Sequence, residues 1–287
     1  FELGGVSAEV RPSTDKLSPP FCVMAIYSQG KDPHQTDWFE ERMRDWLRDC
    51  FKYGTIISLR NAGEWSAWTL GITASGENPM DFSGINCEGM IKKYYNGENM
   101  GTEGVEDVAW EDALTLLALA STGTGEYERE MIDAVTNDLL KRQNEDGSWN
   151  FTYESNGKAS DTAIVIQALI ASGNNSDAIS NAIERGLKYL ESVQNADGSF
   201  PRFENDSSVI ATANAVQAFI AAGRKPPEKA VEYLKEKQKV YEEFLFPVLN
   251  ATAYKEELNN RTVPENLRMV FKKYEHGEYE LSPNVTV

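Results

Sequence analysis

Two stretches decide the architecture: Ala163-Ile164-Val165-Ile166-Gln167-Ala168-Leu169-Ile170-Ala171-Ser172-Gly173 and Ala213-Asn214-Ala215-Val216-Gln217-Ala218-Phe219-Ile220-Ala221-Ala222-Gly223. They are near copies, and their side chains are small and apolar on most faces. A helix of that kind must be buried nearly all round. Each ends on Gly, the residue that takes the left-handed conformation closing many helices at least cost. The same ending recurs at Ala74-Ser75-Gly76 and Ser121-Thr122-Gly123, and a fifth copy runs from Pro20 to Gly30 with Ala25 and Ile26. The glycines are spaced by about 46 to 50 residues, a period that suits a helical-hairpin repeat.

Outward from these runs lie longer, charged segments: Trp38 to Phe51, Phe82 to Tyr95, Tyr127 to Arg142, Ser176 to Val193 and Pro227 to Phe244. Leu187, Leu190 and Val193 against Glu184, Lys188 and Glu191 show the amphipathic stripe of a helix with one face in water. Inner, all-apolar helices thus alternate with outer, amphipathic ones, and a further pair falls between Tyr241 and Tyr274. The expected fold is all-α, a ring of about six helical hairpins (an α/α toroid), with an open solenoid as the alternative. Burial of the inner helices on both sides favours closure. One domain is expected over 1–275, with 276–287 a tail or linker that contains Pro283 and no periodicity.

Composition narrows the partners. With 41% hydrophobic residues the chain can fill a large core. A net charge of −17 argues against binding the phosphate backbone of nucleic acid, which needs clustered Lys and Arg. No apolar run approaches the roughly 20 residues of a membrane span. The chain opens at Phe1 without a signal-type segment, and is read as a mature or excised form. Asn-x-Ser/Thr acceptors begin at Asn150, Asn174, Asn205, Asn250, Asn260 and Asn284, against about two or three expected by chance. That excess points to an extracytoplasmic glycoprotein, secreted or on the cell surface. Asn150 and Asn205, which follow matching turns, are expected on exposed loops at one end of the ring. Cys22, Cys50 and Cys87 leave two readings, a Cys50–Cys87 bridge or three thiols buried as small hydrophobes.

Two loops carry a family resemblance. One reads Gln143-Asn144-Glu145-Asp146-Gly147-Ser148-Trp149, the next Gln194-Asn195-Ala196-Asp197-Gly198-Ser199-Phe200. Asp-Gly is turn chemistry, and the aromatic two residues on can pin the hairpin. With Arg185-Gly186 and Tyr189-Leu190 upstream of the second copy, the pattern resembles the "QW" repeat of squalene and terpene cyclases, Phe200 standing for the usual Trp. Gly4-Gly5 stand where a degenerate first copy would fall. The resemblance covers roughly 1–235 as architecture, its motifs concentrated between about 126 and 223. It implies the toroid shared by prenyltransferases and terpene cyclases.

The chemistry that the resemblance implies is not carried over. A cyclase of this family protonates its substrate through Asp-x-Asp-Asp leading into Thr-Ala. The matching stretch is Lys158-Ala159-Ser160-Asp161-Thr162-Ala163, in which Asp161 alone remains and Ala or Ser stands at the acid's position. Asp161 then reads as the N-cap of an inner helix. Protein prenyltransferases hold zinc through Asp-x-Cys and a distant His. Here Asp49 adjoins Cys50, and the two histidines, His34 and His276, fall in a loop and the tail, so no metal and no cofactor are expected. Cys87-Glu88-Gly89-Met90 is not the Cys-Gly-Glu-Gln of thioester toroids.

What remains is a pocket mouth. Aligned on the terminal glycines, Ser18, Glu64, Glu111, Asp161 and Ala211 fall at equivalent inner-helix starts. Glu64, Trp65, Trp68, Trp110, Glu111, Asp112 and Asp161 would set acids beside aromatic faces there, for a small hydrophobic or carbohydrate ligand or a cation. The leading functional reading is a non-catalytic binding or scaffolding toroid, with self-association or attachment to further domains open. An atypical terpene- or prenyl-processing or carbohydrate-active enzyme is the alternative. The toroid half of a cobalamin-carrier-like protein is another.

Overall fold

The computed structural model describes positions 20, 21, 23, 24, 27, 32–35, 59, 61–101, 108–123, 126–150, 158–202 and 206–241. Eight α-helices run through these residues: α1 (Ala62–Ala74), α2 (Cys87–Lys92), α3 (Ala109–Thr122), α4 (Glu126–Lys141), α5 (Lys158–Ala171), α6 (Asp177–Val193), α7 (Val209–Ala221) and α8 (Glu228–Tyr241). Pro20, Phe21, Val23, Met24 and Tyr27 are also helical. Pairing outside helices among the described residues amounts to two isolated antiparallel bridges, Phe82–Ile85 and Phe200–Ser208.

The odd-numbered helices form the inner row. Each packs chiefly on the next inner helix and then on its own outer partner. Small residues allow that close approach, and hydroxyls stitch the seam. Ser66 Oγ and Thr115 Oγ1 share a hydrogen bond of 3.1 Å, and Ser121 Oγ donates to Thr73 Oγ1 at 3.4 Å. Asn214 Nδ2 donates to Ser160 Oγ at 2.9 Å between α7 and α5. The outer helices bury one stripe only. In α6 it is Ile179, Ala182, Gly186, Leu187 and Leu190, and each of its large side chains contributes about 1.5–3 kcal/mol on burial.

The helix ends follow the glycine period. Gly76, Gly123, Gly173 and Gly223 all have φ between 71° and 83° at the C-termini of α1, α3, α5 and α7. Gly30 lies outside the described residues. So do the outer segment from Trp38, the further helical pair after Tyr241, Gly4-Gly5, Ser18, His276 and the tail from 276.

Two readings are corrected. The outer segment expected over Phe82 to Tyr95 is helical only over α2. Ser83 (φ 55°) and Gly84 (φ 79°) make a tight turn closed by the Phe82–Ile85 bridge, and the Asn86 side chain caps the helix by accepting from Gly89 N at 2.7 Å. Asp161 is not an N-cap: α5 starts at Lys158, which puts Asp161 inside the first turn. A carboxylate there still complements the positive end of the helix dipole.

Cys87 is a free, fully buried thiol, and burial pushes its pKa up to about 12. It behaves as a small hydrophobe, and the bridge to Cys50 is not formed. Cys22 and Cys50 lie outside the described residues.

Candidate functional site: the inner-helix mouth

Each hairpin is antiparallel, so the outer C-terminus meets the next inner N-terminus, and the loop between them builds one end of the fold. The two Asp-Gly loops are superimposable in their bonding. Gln143 Nε2 donates to Gly147 O and Gln194 Nε2 to Gly198 O, both at 2.9 Å. Asp146 Oδ1 accepts from Ser148 N at 3.0 Å and from its hydroxyl at 2.6 Å; Asp197 holds Ser199 at the same distances. Trp149 N then donates to Thr162 Oγ1 at 2.9 Å, and Phe200 N to Thr212 Oγ1 at 2.8 Å. Both rings are fully buried.

A third copy, not legible as such in the sequence, precedes these. Met100 N donates to Asp112 Oδ1 at 3.0 Å, and Met100 is as buried as Trp149 and Phe200. Asp112 therefore does on α3 what Thr162 and Thr212 do on α5 and α7. Its other oxygen accepts from Arg142 Nη1 at 2.9 Å, and Arg142 also reaches Asp138 at 3.4 Å. Asp112 is fully buried, so this charge is neutralised inside the protein rather than offered at the mouth.

The other predicted residues divide into three groups. Glu64 and Glu111 are half-buried in the first turns of α1 and α3, where the expected alignment puts them. Trp110 lies across the start of α1: a Cβ on Gly63 would stand 2.4 Å from Trp110 Cζ3 and 3.2 Å from Glu111 Cγ. Trp65, 1% exposed, borders this group through its indole N–H, which faces Tyr94. Burial pushes the Tyr94 hydroxyl's pKa up, the Trp65 N–H opposes that, and Glu64 and Glu111 add to it. Tyr94, just beyond α2, was missed in the sequence. Its signal would have been an aromatic residue at the close of an outer helix, where the hairpin returns the chain to the mouth.

Trp68 forms the second group by itself, fully buried in the core. Asp161 belongs to the third. It is 7% exposed and stands near Tyr189 of α6, whose hydroxyl is pushed up to about 12, first by burial and then by Asp146 and Asp161. Ala159 is buried beside it and Ser160 is bonded to Asn214.

His34, in a 3-10 turn (Pro33–Gln35), pairs with Ser75 O at 3.1 Å through Nε2 at the opposite end of the inner row. Among the described residues no three of His, Cys, Asp and Glu are grouped to hold a metal ion, and no helix is long and apolar enough to cross a membrane. The mouth can thus present two half-buried carboxylates edged by tryptophan and tyrosine, an arrangement suited to a cation or a polyhydroxylated or apolar surface.

Residues 132–236 match the squalene-hopene cyclase N-terminal domain family. No curated protein sequence matches the chain. Among solved structures, ent-copalyl diphosphate synthase from Streptomyces platensis is similar at TM-score 0.56 and 16% identity, over 90% of this chain and 50% of that one. This chain therefore spans about half that enzyme's length. A variant of the type II terpene cyclase MstE from Scytonema, in complex with its substrate geranylgeranyl dihydroxybenzoate, is similar at TM-score 0.51 and 10% identity, over 91% of this chain and 84% of that one. The hairpin architecture shared with both enzymes, and the family match over its later repeats, place the chain in the squalene–terpene cyclase-like α/α toroid superfamily.

Proposed function

We propose that this chain is a non-catalytic member of the superfamily, displayed outside the cytoplasm, that takes a small uncharged ligand at the inner-helix mouth. One observation carries the loss of catalysis. At the position of the family's acid stands Ser160, its hydroxyl engaged by Asn214 Nδ2 at 2.9 Å, with Ala159 buried next to it. A hydroxyl cannot protonate an alkene, because its proton is held far too tightly at any working pH.

The ligand class follows from charge and precedent. Glu64 and Glu111 at the mouth, on a chain of net charge −17, repel a diphosphate. Aromatic edges favour an apolar chain or a sugar, and the Scytonema cyclase holds a geranylgeranyl compound. The six acceptor sequons support the extracytoplasmic location.

Incubation with squalene, geranylgeranyl diphosphate and farnesyl diphosphate is expected to give no product. Tryptophan fluorescence should respond to a neutral isoprenoid alcohol or an oligosaccharide and stay flat with the diphosphates. In Asp161→Asn the melting temperature should fall modestly, by an amount equivalent to about 0.3–1 kcal/mol for a charge at a helix N-terminus. Turnover that vanishes in Asp161→Asn while the melting temperature holds would overturn the reading. It would make the buried Asp161 an acid, in keeping with the enzymes that share the fold.

A further inference from the structure

We infer that Asn174, in the loop between α5 and α6, is the acceptor for an N-linked oligosaccharide, and that Asn150 is not. The inference rests on the extracytoplasmic reading and selects between two sequons that the sequence leaves equal. The Asn174 loop spans four residues, from Gly173 to Ser176. Gly173, Asn175 and Ser176 are exposed and Asn174 is half-exposed.

The loop is also preorganised. Asn174 Oδ1 accepts from Ser176 N at 3.1 Å, and Ser176 Oγ accepts from Ile179 N at 3.4 Å as the N-cap of α6. Its base is held by Arg129, whose Nη1 donates to Ser172 O at 2.8 Å. The carboxamide is thus fixed through its oxygen, while its nitrogen, the atom that would be glycosylated, enters no hydrogen bond of this loop.

Asn150 differs in each respect. It follows Trp149, which is fully buried and tied through Nε1 to Leu139 O at 2.7 Å. Its own carboxamide oxygen is buried without a hydrogen-bond partner. A glycan on Asn150 would have to draw that side chain out of a loop which the Trp149 plug holds in place. Asn205, Asn250, Asn260 and Asn284 lie outside the described residues.

The step is a group transfer from a lipid-phosphate-linked oligosaccharide. Asn174 Nδ2 attacks the sugar's anomeric carbon, the carbon–oxygen bond to the lipid phosphate breaks with its electron pair leaving on the phosphate oxygen, and the proton lost from the amide passes to solvent. Asn174 stands at the C-terminal end of α5 and the mouth at its N-terminal end. The 14 residues of α5 separate them by about 21 Å at 1.5 Å per residue. A glycan there leaves the mouth open.

The test is glycopeptide mass spectrometry on the full chain, from its own source and after secretion from an N-glycosylating host. In the host, Asn174 should be occupied and Asn150 empty. Asn174→Gln should remove that mass, while Ser176→Thr, which preserves the sequon and the cap, should keep it. An empty Asn174 beside any other occupied sequon, or an occupied Asn150, overturns the inference and leaves the extracytoplasmic reading standing. An occupied Asn174 in the host, with all six sequons bare in native material, overturns that reading instead.

Discussion

The two Asp-Gly loops share their hydrogen bonds almost atom for atom, yet they are plugged by different rings, and the outer helix behind each has adjusted to its own. A Cβ on Gly147 would meet Arg185 O at 2.5 Å, and one on Gly198 would meet Lys229 O at 2.2 Å. Arg185 and Lys229 are therefore equivalent, and so are the next residues, Gly186 and Ala230. Behind the larger Trp149 stands Gly186, where an added Cβ would lie 3.0 Å from both Trp149 Cζ3 and Ile166 Cδ1. Behind the smaller Phe200 stands fully buried Ala230. The smaller ring thus goes with the extra methyl group and the larger ring with its absence, the direction of compensation that a close-packed interior favours.

The largest effect should come from removing the plug itself. Trp149→Ala empties a fully buried site and strands the Leu139 carbonyl that its indole N–H satisfies, so a loss of about 3–5 kcal/mol is expected in urea unfolding. Phe200→Ala should cost less, having the smaller ring and no such bond. Equal losses at the two sites would mean that the loops are not the independent plugs described.

A smaller effect tests the exchanged methyl. Gly186→Ala alone should destabilise by about 1–3 kcal/mol through overpacking, because Trp149 is tied at both its backbone and its ring nitrogen. In a Trp149→Phe background the same substitution should cost far less, reproducing the Phe200–Ala230 pairing. A double-mutant cycle reads this directly, and additive energies would refute the compensation.

The smallest effect is electrostatic. In the second loop, hydrogen bonds from the Ser199 hydroxyl and backbone N–H hold the Asp197 carboxyl below its usual range, with the Ser207 hydroxyl adding to this. A depressed carboxylate stabilises the fold fully above its unfolded pKa of about 3.9, and that stability is lost as pH falls through the lower, folded value. Asp197 is exposed, so the term is small. Denaturation midpoints measured from pH 6 to pH 3 should fall less steeply in Asp197→Asn than in the parent chain. An identical slope would remove Asp197 from the acid response.

Much of this molecule follows from local chemistry, which is why it can be read along the chain. The glycine period needs only the cheapness of a left-handed helix end, and all four described positions take it. The Asp-Gly turns need only short-range hydrogen bonds, and the alternation of inner and outer helices only the sidedness of their apolar residues. Tertiary structure decided what depends on neighbours distant in sequence. Asp112 looked like a mouth carboxylate, but Arg142, thirty residues on, claims it, and Met100 makes the loop before it a third plug that no residue pattern announces. Tyr94 comes within the electrostatic influence of Glu64 and Glu111 only because the hairpins fold back, while Trp65 and Trp68, both expected at the mouth, are fully buried. A helix turns about 100° per residue, so sequence places a side chain at an end of the ring, and only packing tells whether it faces the ligand or the core.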